Sequence, residues 1–274
     1  MHVESHETSP SSLPEESPQV GPWRRRGTAR PLVLGHRGAR LDAPENTLRA
    51  FQLAVTQGAD GVELDVRLAA DSEPVVIHDL NLERITQGAD RRNIEQVESQ
   101  ELERIDVGAG EHVPRLSEVL DWATSSGAKL NVEIKHDGRR TRELVRRVTE
   151  VIAKVPQARE LVLLSCFHPG VVKRLHRLLP DLPVGWLVHA RQRAMRSAPG
   201  WRMLGAVAVH PELSLATPVA LGRWRRAGAL LLVWTVNDPD QARRLASLGV
   251  DGLISDSPGV VVRALRTSII APAV

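Results

Sequence analysis

Two histidines, an arginine, a lysine and three acids stand at the ends of short apolar runs in this chain. The runs read Gly35-His36-Arg37-Gly38, Gly61-Val62-Glu63-Leu64-Asp65-Val66, Ile77-His78-Asp79 and Leu130-Asn131-Val132-Glu133-Ile134-Lys135. Glu63 and Asp65 are two apart, so on a strand they share a face. Asn131, Glu133 and Lys135 repeat that spacing. Carboxylates buried side by side repel and are costly without a cation. Three of them, with no cysteine and no clustered histidine, make a hard oxygen site suited to one divalent metal, Mg²⁺ or Ca²⁺, rather than Zn²⁺. Arg37 offers a planar fork to a phosphate, and His36 and His78 titrate near neutrality. Such a set can hold a phosphate and move protons on both sides of a phosphorus atom. Lys135 has two equal readings, a contact to a phosphate oxygen or a salt bridge that neutralises Glu133.

These residues need elements to carry them. Strands are expected over Pro31–Leu34, Gly61–Val66, Val75–Ile77, Leu130–Ile134, Leu161–Leu164, Val184–Val188, Ala206–Val209, Leu230–Val236 and Gly252–Ile254. Helical patterns lie between most of them: Glu45–Gln57, Leu116–Ser125, Thr141–Lys154, Gly170–Leu179, Pro218–Ala227 and Asp238–Leu248. Alternation of this kind implies a parallel sheet with crossover helices. Nine strands are one too many for an eight-stranded barrel. Only eight residues, Arg67 to Pro74, separate the second and third runs, and a parallel crossover needs a dozen or more. Val75–Ile77 should therefore fold back as a hairpin. The fold class is α/β, a (β/α)8 TIM-type barrel with a short extra strand and a small loop insertion, about residues 81–113, after the second barrel strand. Barrel sites lie at the C-terminal ends of the strands, where the chemical residues fall.

Several nearby residues have weaker claims. In Pro44-Glu45-Asn46-Thr47, helix capping accounts for Glu45 and Thr47, while Asn46 is a candidate contact for the phosphate. Phe167 and Trp234 end strands and could wall a substrate pocket. Cys166 reads as an inert core thiol. His112, His136, His168 and His210 read as surface or satisfied interior groups, with His168 placed to edge the pocket.

Bulk properties exclude other classes. Hydrophobic residues make up 42% and charged residues 25% of the chain, which is ordinary for a globular protein. A net charge of +3 is too small to argue for nucleic acid. One cysteine excludes an internal disulfide. The longest apolar run, Ala229 to Val236, is far short of a membrane span, though transient contact with a lipid surface is compatible with this. The Ser-, Pro- and Glu-rich residues 1–22 read as a disordered tail rather than a signal peptide. Arg24-Arg25-Arg26 reads as a solvated flank, and residues 23–274 as one catalytic domain, cytoplasmic by default.

The ordered set resembles the glycerophosphodiester phosphodiesterase family. The resemblance rests on His36-Arg37-Gly38, Pro44-Glu45-Asn46-Thr47, Glu63-x-Asp65, His78-Asp79, Val113 to Leu120, Glu133-Ile134-Lys135, Trp234-Thr235-Val236-Asn237 and Gly252 to Asp256. It spans about residues 32–260. It implies a modified triosephosphate-isomerase-type barrel, metal ligands at Glu63, Asp65 and Glu133, an acid/base pair in His36 and His78, and phosphate contacts from Arg37 and Lys135. Of the two orders, His36 as base and His78 as acid is preferred. The implied reaction is hydrolysis of a small glycerophosphodiester to sn-glycerol 3-phosphate and an alcohol. Two alternatives stand beside it. A lysophospholipase D would need an apolar mouth, which the Trp186, Trp201 and Trp224 segments could supply. A non-catalytic phosphate- or metal-binding protein would require a lost histidine or carboxylate.

Overall fold

Runs of aliphatic and β-branched residues with no polar face can be satisfied only by a sheet covered on both sides. The computed structural model describes residues 20–27, 29–192 and 200–270, and in it these runs form β1 (Leu32–His36), β2 (Gly61–Leu68), β3 (Pro74–Val76), β4 (Lys129–Ile134), β5 (Val162–Cys166), β6 (Val184–Val188), β7 (Ala208–Pro211), β8 (Leu230–Val233) and β9 (Gly252–Ser255). All but β3 pair in parallel in the order β1-β2-β4-β5-β6-β7-β8-β9, and β9 returns to β1 to close the barrel. β3 runs antiparallel to the end of β2, with Val76 opposite Val66. The short linker did decide the topology.

Helices cover the outside: α1 (Leu48–Thr56), α2 (Ser99–Leu102), α3 (Leu116–Ser126), α4 (Thr141–Ala153), α5 (Pro169–Leu178), α6 (Gly200–Met203), α7 (Pro218–Arg226), α8 (Pro239–Ser247) and α9 (Pro258–Ile270). Each long helix turns an apolar stripe inward, as α4 does with Leu144, Val145, Val148 and Ile152, the spacing of one helical face. α9 was not anticipated from the sequence. α1 starts three residues later than expected, because Asn46 sits in the left-handed region at φ 58° and Thr47 caps the helix by accepting from the Ala50 amide. Gly38 is required beside it: at φ 85°, an added Cβ would lie 2.6 Å from the Ala50 backbone. The insertion forms its own small core from Ile77, Leu82, Ile94, Val97, Leu102 and Val113. No described helix is long and apolar enough to cross a membrane.

The boundary of the tail needs correction. Residues 1–19 lie outside the described residues, but Val20 is buried and Trp23 is only 1% exposed. Both pack with Leu34, Leu163, Ala208, Leu230, Leu232 and Ile254 at the N-terminal end of the barrel. Trp23 thus plugs the barrel floor, with the Lys129 ammonium 5.4 Å from its ring, and burying so large a ring draws the preceding turn in. Nor are the arginines that follow a purely solvated flank. Arg24 donates to the Gly228 carbonyl, and the Arg25 amide donates to Asp251.

His210 also departs from expectation. It is fully buried on β7, and neither ring nitrogen has a hydrogen-bond partner among the described residues. Burial depresses its pKa to about 3, from an ordinary value near 6.5. It therefore folds neutral, and the unfolded chain takes up its proton first as the pH falls. Stability from this group is full above about pH 6.5 and is lost towards pH 3, by roughly 4–5 kcal/mol at most. Urea midpoints of the parent should fall between pH 6.5 and 4 more steeply than those of His210→Gln. Parallel pH profiles would refute this.

Candidate active site

The interior-facing acids come together where β2 and β4 run side by side. Asp65 pairs in register with Glu133, and Glu63 with His36 of β1. Glu63, Asp65 and Glu133 are all buried, with carboxylate oxygens within 4.8 Å of one another. Burial and the charges of Asp65 and Glu133 push the Glu63 carboxyl well above its usual pKa. Burial raises Glu133 as well. Burial also works against Asp65, but Lys135 and then Arg37 outweigh it and hold Asp65 ionised. The Lys135 ammonium lies 2.8 Å from Glu133 and 3.0 Å from Asp65. Arg37 Nε lies 3.2 Å from Asp65. Ionising all three carboxylates against two cations would leave an excess of negative charge in a buried oxygen cluster, and burial with that repulsion is what raises Glu63 and Glu133. That donor set fits a hard divalent cation.

Lys135 was open to two readings, and here its ammonium bonds to carboxylates while also lining the cavity beside them. That cavity, about 160 Å³, is bounded by His36, Arg37, Glu63, His78, Glu133, Lys135, Phe167, Leu187, Trp234 and Ile254. Phe167 and Trp234 meet edge to face at 5.5 Å and form one wall. Leu187 and Ile254 were missed in the sequence, although their place on inward-facing strand positions is the signal that marks them.

Each histidine is held by a carboxylate through Nδ1. His36 is 2.6 Å from Asp256, and its Nε2 lies 3.9 Å from Glu63. Asp256 is fixed in turn by Asn237, whose amide nitrogen donates to its carboxylate and whose amide oxygen accepts from its backbone N–H. The two C-terminal motifs therefore serve His36, a role not seen in the sequence. His78 is 2.7 Å from Asp79, which also takes Arg84. Its backbone carbonyl accepts from Arg67, whose fork is bidentate on Asp137. Arg67 continues the alternation Glu63-x-Asp65-x-Arg67, which could have flagged it. Burial lowers the His78 pKa, with Asp65 opposing and Lys135 and Arg37 adding to the depression. This direction favours the neutral imidazole, the form a proton acceptor needs, and weighs against the order preferred from the sequence, His36 as base and His78 as acid.

Other expectations change. Asn46 is buried and absent from the cavity lining; its amide donates to the Asp65 carboxylate at 2.9 Å and its oxygen accepts from the Asp65 amide. It orients an acid instead of meeting a phosphate. Glu45 does not cap a helix but joins Arg37, Arg40 and Arg84 in an ion-pair cluster at the mouth. His168 caps α5 and faces a different groove. Cys166 is an inert thiol, its pKa pushed up to about 12 by burial. Trp186, Trp201 and Trp224 are at most 5% exposed. They pack between barrel and helices, because helix faces toward the strands are where large apolar rings are buried, and so they supply no apolar mouth.

Comparison with known proteins places the chain. The sequence profile of the glycerophosphoryl diester phosphodiesterase family matches residues 36–260. The chain belongs to this family. A glycerophosphodiester phosphodiesterase of Caldanaerobacter subterraneus subsp. tengcongensis is 30% identical over 86% of this chain and 98% of its own. Among solved structures, an Oleispira antarctica phosphodiesterase in complex with the product sn-glycerol-3-phosphate superposes with a TM-score of 0.79 at 30% identity, covering 86% of this chain and 97% of that one. The glycerophosphodiester phosphodiesterase of Thermotoga maritima gives 0.72 at 29% identity over 86% and 98%. The two solved structures share the barrel just described.

Proposed function

We propose that this phosphodiesterase hydrolyses a glycerophosphodiester to sn-glycerol 3-phosphate and an alcohol, with one divalent cation, Mg²⁺ or Ca²⁺, and two histidines. The observation that carries the reading is the convergence of His36, His78, Arg37, Lys135 and two of the three acids on one small cavity. Glu63, Asp65 and Glu133 would hold the cation, which when bound supplies Lewis-acid polarisation of a phosphoryl oxygen. Arg37 and Lys135 face the non-bridging oxygens. One imidazole takes a proton through Nε2 from the attacking oxygen, either a water or the neighbouring glycerol hydroxyl, the latter giving a cyclic phosphate that a water then opens to sn-glycerol 3-phosphate. The other returns a proton to the departing alkoxide. Asp256 and Asp79 fix the ring orientations and stabilise the imidazolium forms. Phe167, Leu187 and Trp234 exclude water from the mouth.

The test is release of sn-glycerol 3-phosphate from glycerophosphocholine, with lysophosphatidylcholine as the competing substrate. Activity should be confined to the first, vanish in EDTA and return with Mg²⁺ or Ca²⁺. Choline release from the lysolipid at an equal rate, or full activity in EDTA, would overturn the reading. Asp256→Asn should lower kcat on the order of 10²–10⁴-fold, because the carboxylate fixes the tautomer and orientation of a catalytic imidazole, with KM nearly unchanged. A change in KM alone would remove Asp256 from this role.

A further inference from the structure

A second, larger cavity of about 460 Å³ opens between α4 and α5. Its charged lining is entirely basic: His136, Arg142, His168, Lys173, Arg174 and Arg177. None of its four permanent cations makes an ion pair with a described acid. Their neighbours behave otherwise, since Arg140 just before α4 and Arg146 and Arg147 on it are each paired with Glu143 or Glu150. The rings of His136 and His168 lie 5.5 Å apart. Burial lowers the His136 pKa, and His168, Lys135 and Arg67 lower it further against Asp137. Uncompensated like charge facing a concave space is unfavourable until an anion enters.

The groove is also placed to serve the reaction. His136 directly follows Lys135, and His168 directly follows Phe167, just past the C-terminal ends of the paired strands β4 and β5. Lys135 and Phe167 line the catalytic cavity, so the groove begins one residue away from it at the ends of two adjacent strands. We propose that this groove is a second anion site, which takes a phosphate carried by the leaving alcohol of the diester. The inference rests on the phosphodiesterase reading above and narrows its substrate class to diesters with a phosphorylated polyol as the alcohol half. The catalytic cavity grips the scissile phosphate, and the groove grips the second phosphate through Arg142, Lys173, Arg174 and Arg177. The volume of the groove suits a polyol ring with its phosphate better than a bare inorganic anion.

The experiment compares glycerophosphoinositol with glycerophosphoinositol 4-phosphate on the full-length, metal-loaded enzyme at low and high salt. The phosphorylated diester should show a kcat/KM on the order of 10–100-fold higher, carried by KM and shrinking with salt. In an Arg142→Gln/Arg174→Gln variant that melts at the parental temperature, this preference should fall below about threefold. Equal kcat/KM for the two substrates in the parent would overturn the proposal, as would a preference that survives in the variant. Turnover of neither, with glycerophosphocholine still hydrolysed, would also overturn the proposal, whereas turnover of none of the three would refute the phosphodiesterase reading. The groove is then decided by the His136 ring signal in NMR titrations with inositol 1,4-bisphosphate. A saturable shift, lost in the variant, supports the anion site, and no shift overturns it. Sedimentation with phosphatidylglycerol vesicles but not phosphatidylcholine vesicles, lost in the variant and unaccompanied by a substrate preference, would assign the groove to a membrane surface and overturn the proposal.

Discussion

Replacing Glu63 by Gln is expected to abolish hydrolysis while leaving the metal-free protein at least as stable as the parent. Glu63 is 4% exposed, and its carboxyl is pushed well above the usual range by burial and by Asp65 and Glu133. A carboxyl with a raised pKa costs stability when it ionises, so its penalty grows as the pH rises from about 4.5 through the raised value. Glutamine keeps the shape, still accepts from the Arg37 amide that contacts this side chain at 3.2 Å, and removes that penalty. The two states of the protein should therefore respond oppositely. Without metal, the variant should unfold at an equal or higher temperature than the parent at pH 8. With Mg²⁺ or Ca²⁺ at a hundred times its Kd, the parent should gain about 2.7 kcal/mol and the variant much less. Turnover should be below detection, because the loss removes one of three ligands. Parental turnover in Glu63→Gln, or a parent whose melting ignores both ions, would refute a cation held by these acids.

Much of this architecture was legible because parallel barrel strands are buried on both faces and so read as apolar runs. An acid inside such a run is conspicuous. That made Glu63, Asp65 and Glu133 visible, and the eight-residue linker placed β3 outside the barrel. What stayed hidden depends on contacts between distant segments. Asp256 reaches His36 across 220 residues, and nothing local distinguishes it from a helix-capping acid. Asn46 looked like a phosphate contact because its loop enters the mouth, yet its amide is consumed by Asp65. Val20 looked like part of a tail, since the partners it shares with Trp23 come from strands spread around the barrel. His210 has an ordinary sequence context, and only the closed interior makes it an unpartnered base.

Loss of either imidazole should lower kcat on the order of 10²–10⁴-fold, the usual worth of general acid or base catalysis. Displacement at phosphorus is roughly in line, so the attacking and leaving oxygens lie on opposite faces and one ring cannot readily serve both. His36 comes from the end of β1 and His78 from the loop after β3, and both open onto the same cavity. Each has its own carboxylate, Asp256 or Asp79, so neither depends on the other for orientation. Their losses should accordingly differ in pH dependence. The parent should give a bell-shaped profile of kcat/KM, the acid limb reporting the base and the alkaline limb the acid. His36→Ala and His78→Ala should each flatten one limb, and a different one. Because burial, Lys135 and Arg37 depress the His78 pKa, any limb that His78 governs should lie below the ordinary histidine value of about 6.5 in the free enzyme. The acid limb is the one expected to go with it. Parental turnover in His78→Ala would remove this residue from the mechanism, and loss of the same limb in both variants would mean that the two rings act as one relay on a single face of the phosphate.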